Sequence, residues 1–219
     1  MNHNINLLKI VYDVYDVRMD KLKTGDIIIC HSNKNKDDID NAIEFFNKRH
    51  CEHTGMIIRD PWWCPDVPKG VYIFQSGDGS NGYFDILNGK VKGITLNRLD
   101  DFLANRKGVY VRSLSGINMC EVNKNIFVEN FQIAHGKPYD PNVCSRIGKG
   151  LGSFCNCICL SRKTTQTEKD IIRSSPPVAF MYVKMKWIAP LDWSCQTPDD
   201  ISNWTLPAPY KLEQPWLLK

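Results

Sequence analysis

The chain has 219 residues, 42% of them hydrophobic and 24% charged, and 28 Lys and Arg against 24 Asp and Glu leave a net charge of +4. This balance fits one ordinary globular core and excludes a disordered or fibrous chain. Basic and acidic residues are interspersed, which argues against nucleic acid as a partner, and the longest apolar runs fall far short of the ~20 residues that a membrane span requires. Nine cysteines, an odd number without framework spacing, fit reduced thiols and a cytoplasmic location better than a disulfide scaffold.

The opening stretch MNHNINLLKIVYDVYDV carries Asp13 and Asp16 through its apolar part and lacks a basic start with a small-residue cleavage site, so no signal peptide is expected. A Gly25-Asp26 turn leads into Ile27-Ile28-Ile29-Cys30, a short apolar run expected to be a buried strand. Over 37–49, Ile39, Ala42, Ile43 and Phe46 recur at helical spacing behind Asp37 and Asp38, which predicts an amphipathic helix. Residues 53–59 read as a turn entering a second strand, closed by the loop with Trp62 and Trp63, and residues 71–75 as a third. Further strands are expected at 93–96 and 109–112, with a short helix over 97–104 between them. Short strands in these steps make an antiparallel sheet the economical reading.

Phe127, Phe131 and Ala134 form a helical stripe that ends at His135-Gly136-Lys137-Pro138. The run Phe154-Cys155-Asn156-Cys157-Ile158-Cys159-Leu160 is short and apolar, and Ser153 as a cap favours a helix over a strand. Val178, Met181, Tyr182 and Met185 repeat the helical stripe behind Ser174-Ser175-Pro176-Pro177, although a strand through Val183 fits as well. The tryptophans Trp62, Trp63, Trp193, Trp204 and Trp216 read as packing rather than a ligand cage. A single domain is expected, with its core over about 22–202 and an extended tail over 203–219.

Three segments in order, Leu22-Lys23-Thr24-Gly25-Asp26-Ile27-Ile28, Glu52-His53-Thr54-Gly55-Met56-Ile57 and Tyr72-Ile73-Phe74-Gln75-Ser76, followed by Gly136-Lys137-Pro138-Tyr139-Asp140, Phe154-Cys155-Asn156 and Thr197-Pro198-Asp199-Asp200, resemble the circularly permuted NlpC/P60 superfamily. The match lies closest to members from large DNA viruses of eukaryotes such as poxviruses. The resemblance implies an α+β, permuted papain-like fold, an antiparallel sheet or small barrel packed against helices. It implies a Cys-His-Gln site: Cys155 as nucleophile, His53 as general base and Gln75 as the residue orienting His53. Gln75 stands where many members carry a carboxylate, and an amide can hold the ring but cannot stabilise an imidazolium by charge.

A cysteine at a helix N-terminus gains a lowered pKa from the aligned backbone dipoles, which suits Cys155 to attack. Cys157, Cys159 and Ser174 remain alternatives as nucleophile. Cys144, Cys155, Cys157 and Cys159 could bind zinc, but C-x-C-x-C is not a usual structural spacing; no metal and no cofactor is expected. Tyr139 and Asp140 read as structural. By resemblance, then, the chain is a thiol hydrolase or acyltransferase acting on a peptide, amide or lipid acyl bond. The alternative is a structural or interaction protein, a virion component with protein partners in a viral particle, that keeps the fold without the chemistry. The resemblance places either one in the host cytoplasm or the virion.

Overall fold

The architecture is that of a computed structural model, which describes residues 18–31, 51–77, 82–90, 92–104, 106–137, 177–193 and 196–219. Its centre is a six-stranded antiparallel sheet in the order β4-β3-β2-β1-β5-β8. The strands are β1 (Ile27–His31), β2 (Cys51–Arg59), β3 (Val71–Gly77), β4 (Gly93–Arg98), β5 (Val109–Arg112) and β8 (Trp216–Leu217). A second, two-stranded ribbon pairs β6 (Leu114–Ser115) with β7 (Lys211–Leu212). Four helices are described: α1 (Leu99–Ala104), α2 (Glu121–Ala134), α3 (Pro177–Lys184) and α4 (Pro198–Ser202). The fold is thus α+β, with an antiparallel sheet packed against a few helices.

The sheet is covered on both sides, which is why its strands read as continuous apolar runs instead of alternating ones. Ile27, Ile29, Met56, Ile58 and Phe74 face a large core completed by Phe127 and Phe131 of α2 and Val178 to Tyr182 of α3. Ile28, Cys30, Ile57, Ile73 and Val111 face the other way, onto Leu99, Phe102 and Leu103 of α1 and onto Leu218. Burying an aliphatic side chain of this size contributes about 1.5–3 kcal/mol against exposure.

The turn before β1 shows why Gly25-Asp26 stands there. Gly25 has a φ of +100°, and a Cβ on it would lie 2.9 Å from Leu114 Cδ2. Asp26, fully buried, accepts the Leu114 backbone N–H on Oδ1 and the Lys23 backbone N–H on Oδ2, each at 2.8 Å.

The helical stripe of Phe127, Phe131 and Ala134 lies on α2 and is buried as expected. The stripe from Val178 is the helix α3, not a strand. In two places the sequence-based expectation differs. The helix expected over 97–104 begins two residues later, at Leu99, because β4 runs on to Arg98 and Asn97 stays on the sheet. Residues 203–219 are more than an extended covering: β8 is an edge strand on β5, and Trp204, Leu212 and Leu218 are buried. Arg112 holds this segment through the backbone carbonyls of Ser202, Trp204, Leu212 and Glu213, partners that no local sequence pattern reveals. The expected helix over 37–49 lies outside the described residues.

Candidate active site around His53

His53 sits on β2 directly opposite Cys30 of β1, on the sheet face that carries α1. Two residues on, Gly55 shares that face. A Cβ there would lie 2.5 Å from Ile73 Cδ1 and 2.6 Å from Ile73 Cγ1. The glycine of His53-Thr54-Gly55 is therefore required by packing: Ile73 occupies the space over its Cα, and the neighbouring Gln75 can reach diagonally across to His53.

Gln75 is 5% exposed and Asn97 1%; each comes from the strand beside the last, β3 then β4. His53 Nε2 lies 2.6 Å from Gln75 Oε1. Gln75 Nε2 donates to Asn97 Oδ1 at 2.8 Å, Thr95 Oγ1 donates to the same oxygen at 2.9 Å, and Asn97 Nδ2 donates to the Phe84 carbonyl at 2.8 Å. The direction of this row is fixed from its far end. A backbone carbonyl only accepts, so Asn97 must present its NH₂ to Phe84 and its oxygen to Gln75. Gln75 then presents NH₂ to Asn97 and oxygen to His53. His53 must donate from Nε2, which leaves Nδ1 of the neutral ring as the proton acceptor. Nδ1 has no hydrogen-bond partner among the described residues.

The segment that ends this row is itself tied down. Asp85 Oδ2 lies 2.6 Å from His135 Nε2, and Asp85 Oδ1 accepts the Leu87 N–H at 3.1 Å. The His135 ring stacks on Phe131 at 5.2 Å. This histidine-carboxylate pair joins the end of α2 to the stretch carrying the Phe84 carbonyl, a supporting role.

Burial, and secondarily the Arg106 guanidinium, push His53 down from 6.5 to about 4, against the raising effect of the bond to Gln75. The ring is thus neutral near pH 7. Burial pushes both thiols beside it up, Cys30 to about 12 and Cys51 to about 12. Cys51 Sγ donates to the His53 carbonyl at 3.3 Å. Neither thiol is ionised near neutrality, so neither is primed as a nucleophile. Among the described residues no group of three or more His, Cys, Asp or Glu could hold a metal ion.

Of the residues singled out from sequence, the structure brings His53 and Gln75 together. Cys155, with Cys144, Cys157, Cys159, Ser174, Tyr139 and Asp140, lies outside the described residues. Asp199 of the Thr197-Pro198-Asp199-Asp200 segment accepts the Cys51 backbone N–H at 2.6 Å, fastening α4 to the start of β2 two residues before His53. Asp200 completes a capping box with Thr197. Asn97, Thr95 and Arg106 went unrecognised in the sequence. A signal for the first two exists: Thr95 and Asn97 alternate with Ile94 and Leu96, a period-2 pattern that marks a polar row on one face of a strand. Compared with known proteins, the chain matches no family model, no curated protein and no solved structure.

Proposed function

We propose that this chain is a thiol hydrolase or acyltransferase of the permuted papain-like, NlpC/P60 type, with Cys155 as nucleophile, His53 as general base and Gln75 as the residue orienting it. The observation that supports this reading most is the amide row ending at His53. It selects one imidazole tautomer and leaves one ring nitrogen without a partner among the described residues, as a base that must receive a thiol proton requires. In the proposed reaction the Cys155 thiol gives its proton to His53 Nδ1 while its sulfur bonds to the acyl carbon. His53 returns that proton to the departing amine or alkoxide, and the thioester passes to water or another acyl acceptor.

A second reading, a non-catalytic structural or interaction protein, is favoured by one specific feature. His53 is held as a weak base at about 4, with an amide where a carboxylate would support the imidazolium. The two readings separate on the labelling of Cys155 by iodoacetamide between pH 6 and 8, with sites assigned by mass spectrometry, in the parent and in His53→Ala. The enzyme reading expects labelling well above that of an unassisted thiol of pKa ~8.5, falling about 10²-fold or more when His53 is removed. A rate indifferent to His53 overturns it and leaves the structural reading.

A further inference from the structure

Arg106 belongs to neither the amide row nor the core, yet it lies on the same face. Its Cζ stands 4.3 Å over the centre of the Phe102 ring, the ring whose centre lies 5.8 Å from that of the His53 imidazole. Cys30 is the residue directly across from His53 in the β1-β2 ladder, and the charge of Arg106 acts on its thiol as well, against the larger effect of burial. A full positive charge is thus seated beside the candidate base.

Two features of that seat are incomplete. Arg106 Nε is buried and has no hydrogen-bond partner among the described residues, and leaving a buried donor unpaired costs about 1–3 kcal/mol. Among the described residues no carboxylate lies within ion-pair distance of Arg106. A planar guanidinium over an aromatic ring, with its Nε donor unspent, is suited to receive an oxyanion through Nε–H and a second, parallel N–H.

We propose that Arg106 binds an anionic group, a carboxylate or a phosphate, carried by the molecule that occupies the His53 site. The inference deepens the proposed function and rests on it for calling that molecule a substrate: an acyl compound with a negative charge near the bond to be cleaved. The occupied site would supply the missing acceptor to Nε and offset the charge that Arg106 places beside His53.

The test uses inorganic phosphate and acetate, titrated into the full chain at low ionic strength while the imidazole resonances of His53 are followed by NMR. Neither binding nor its readout requires Cys155 or turnover, so failure of the hydrolase reading and failure of the anion site are distinguishable. Saturable shifts of His53 are expected at millimolar anion, lost in Arg106→Gln. In Arg106→Lys, which keeps the charge but not the fork, binding is expected to weaken about tenfold. The stronger of the two anions identifies the source, phosphate or carboxylate. Absence of saturable shifts with both, or shifts that survive Arg106→Gln, overturns the proposal. Should the Gln variant fail to fold, undiminished binding by Arg106→Lys overturns it equally.

Discussion

Asp26 and His53 are both polar residues set into apolar strands, one at the entry of β1 and the other near the start of β2, yet the structure uses them differently. Asp26 spends both carboxylate oxygens on backbone N–H groups of the fold. His53 is bonded on one nitrogen, and the other has no partner among the described residues. A buried polar group whose capacity is exhausted by its own chain is a structural tie. One that is oriented and left incomplete is a candidate for chemistry.

The comparison breaks first on stability. Asp26→Ala strands two backbone donors, so denaturant unfolding should show a loss of about 2–5 kcal/mol. His53→Ala should cost only about 1–2 kcal/mol, because only the Gln75 oxygen loses a partner. Equal costs would remove the distinction between tie and site.

The two groups also titrate in opposite senses. His53 falls from 6.5 to about 4 on folding. The unfolded chain therefore takes up the proton first, and stability drops as pH falls from about 6.5 towards 4, by on the order of 2–3 kcal/mol. Burial raises Asp26 from 3.8 to about 6. There the folded chain holds the proton longer, and stability drops as pH rises through the same region by a similar amount. The parent should show a shallow pH dependence between pH 4 and 6 because the slopes oppose. His53→Gln should unmask a decline with rising pH, and Asp26→Asn a decline with falling pH, measured as unfolding free energies across that range. Parallel slopes in the two variants would contradict the assigned shifts.

Two substitutions sharpen the picture of the row itself. Asn97→Leu strands the Gln75 amide, the Thr95 hydroxyl and the Phe84 carbonyl and should cost about 2–4 kcal/mol, while freeing the Gln75 amide to flip. The parent should hold the His53 proton on Nε2, and Asn97→Leu should populate both tautomers in ¹⁵N spectra. An unchanged tautomer would show that the direction of the row is set elsewhere. Gly55→Ala drives a methyl into Ile73 and should cost about 1–3 kcal/mol of overpacking, with loss of the single His53 tautomer in the same spectra as Gln75 is displaced.

Much of this was legible in the chain. The Gly25-Asp26 turn, the strands β1 to β3, the stripes of α2 and α3 and the candidate residues His53 and Gln75 all follow from local pattern or resemblance, because periodicity, turn chemistry and short-range spacing are written in neighbouring residues. The incorporation of β8 into the sheet was not legible, since its partners on β5 lie about a hundred residues upstream and two-residue strands carry no periodicity. Asn97 was read as the start of a helix because its role depends on β3 beside it.

By itself, then, the sequence determined that His53 and Gln75 are candidates for chemistry and which faces are apolar, both readings of residue type and spacing. Only the tertiary structure decided the tautomer of His53, the closure of the Thr95-Asn97-Gln75 row on the Phe84 carbonyl and the seat of Arg106 over Phe102. Hydrogen-bond direction and charge proximity are relations between groups that the chain brings together from separate strands. No single segment contains them.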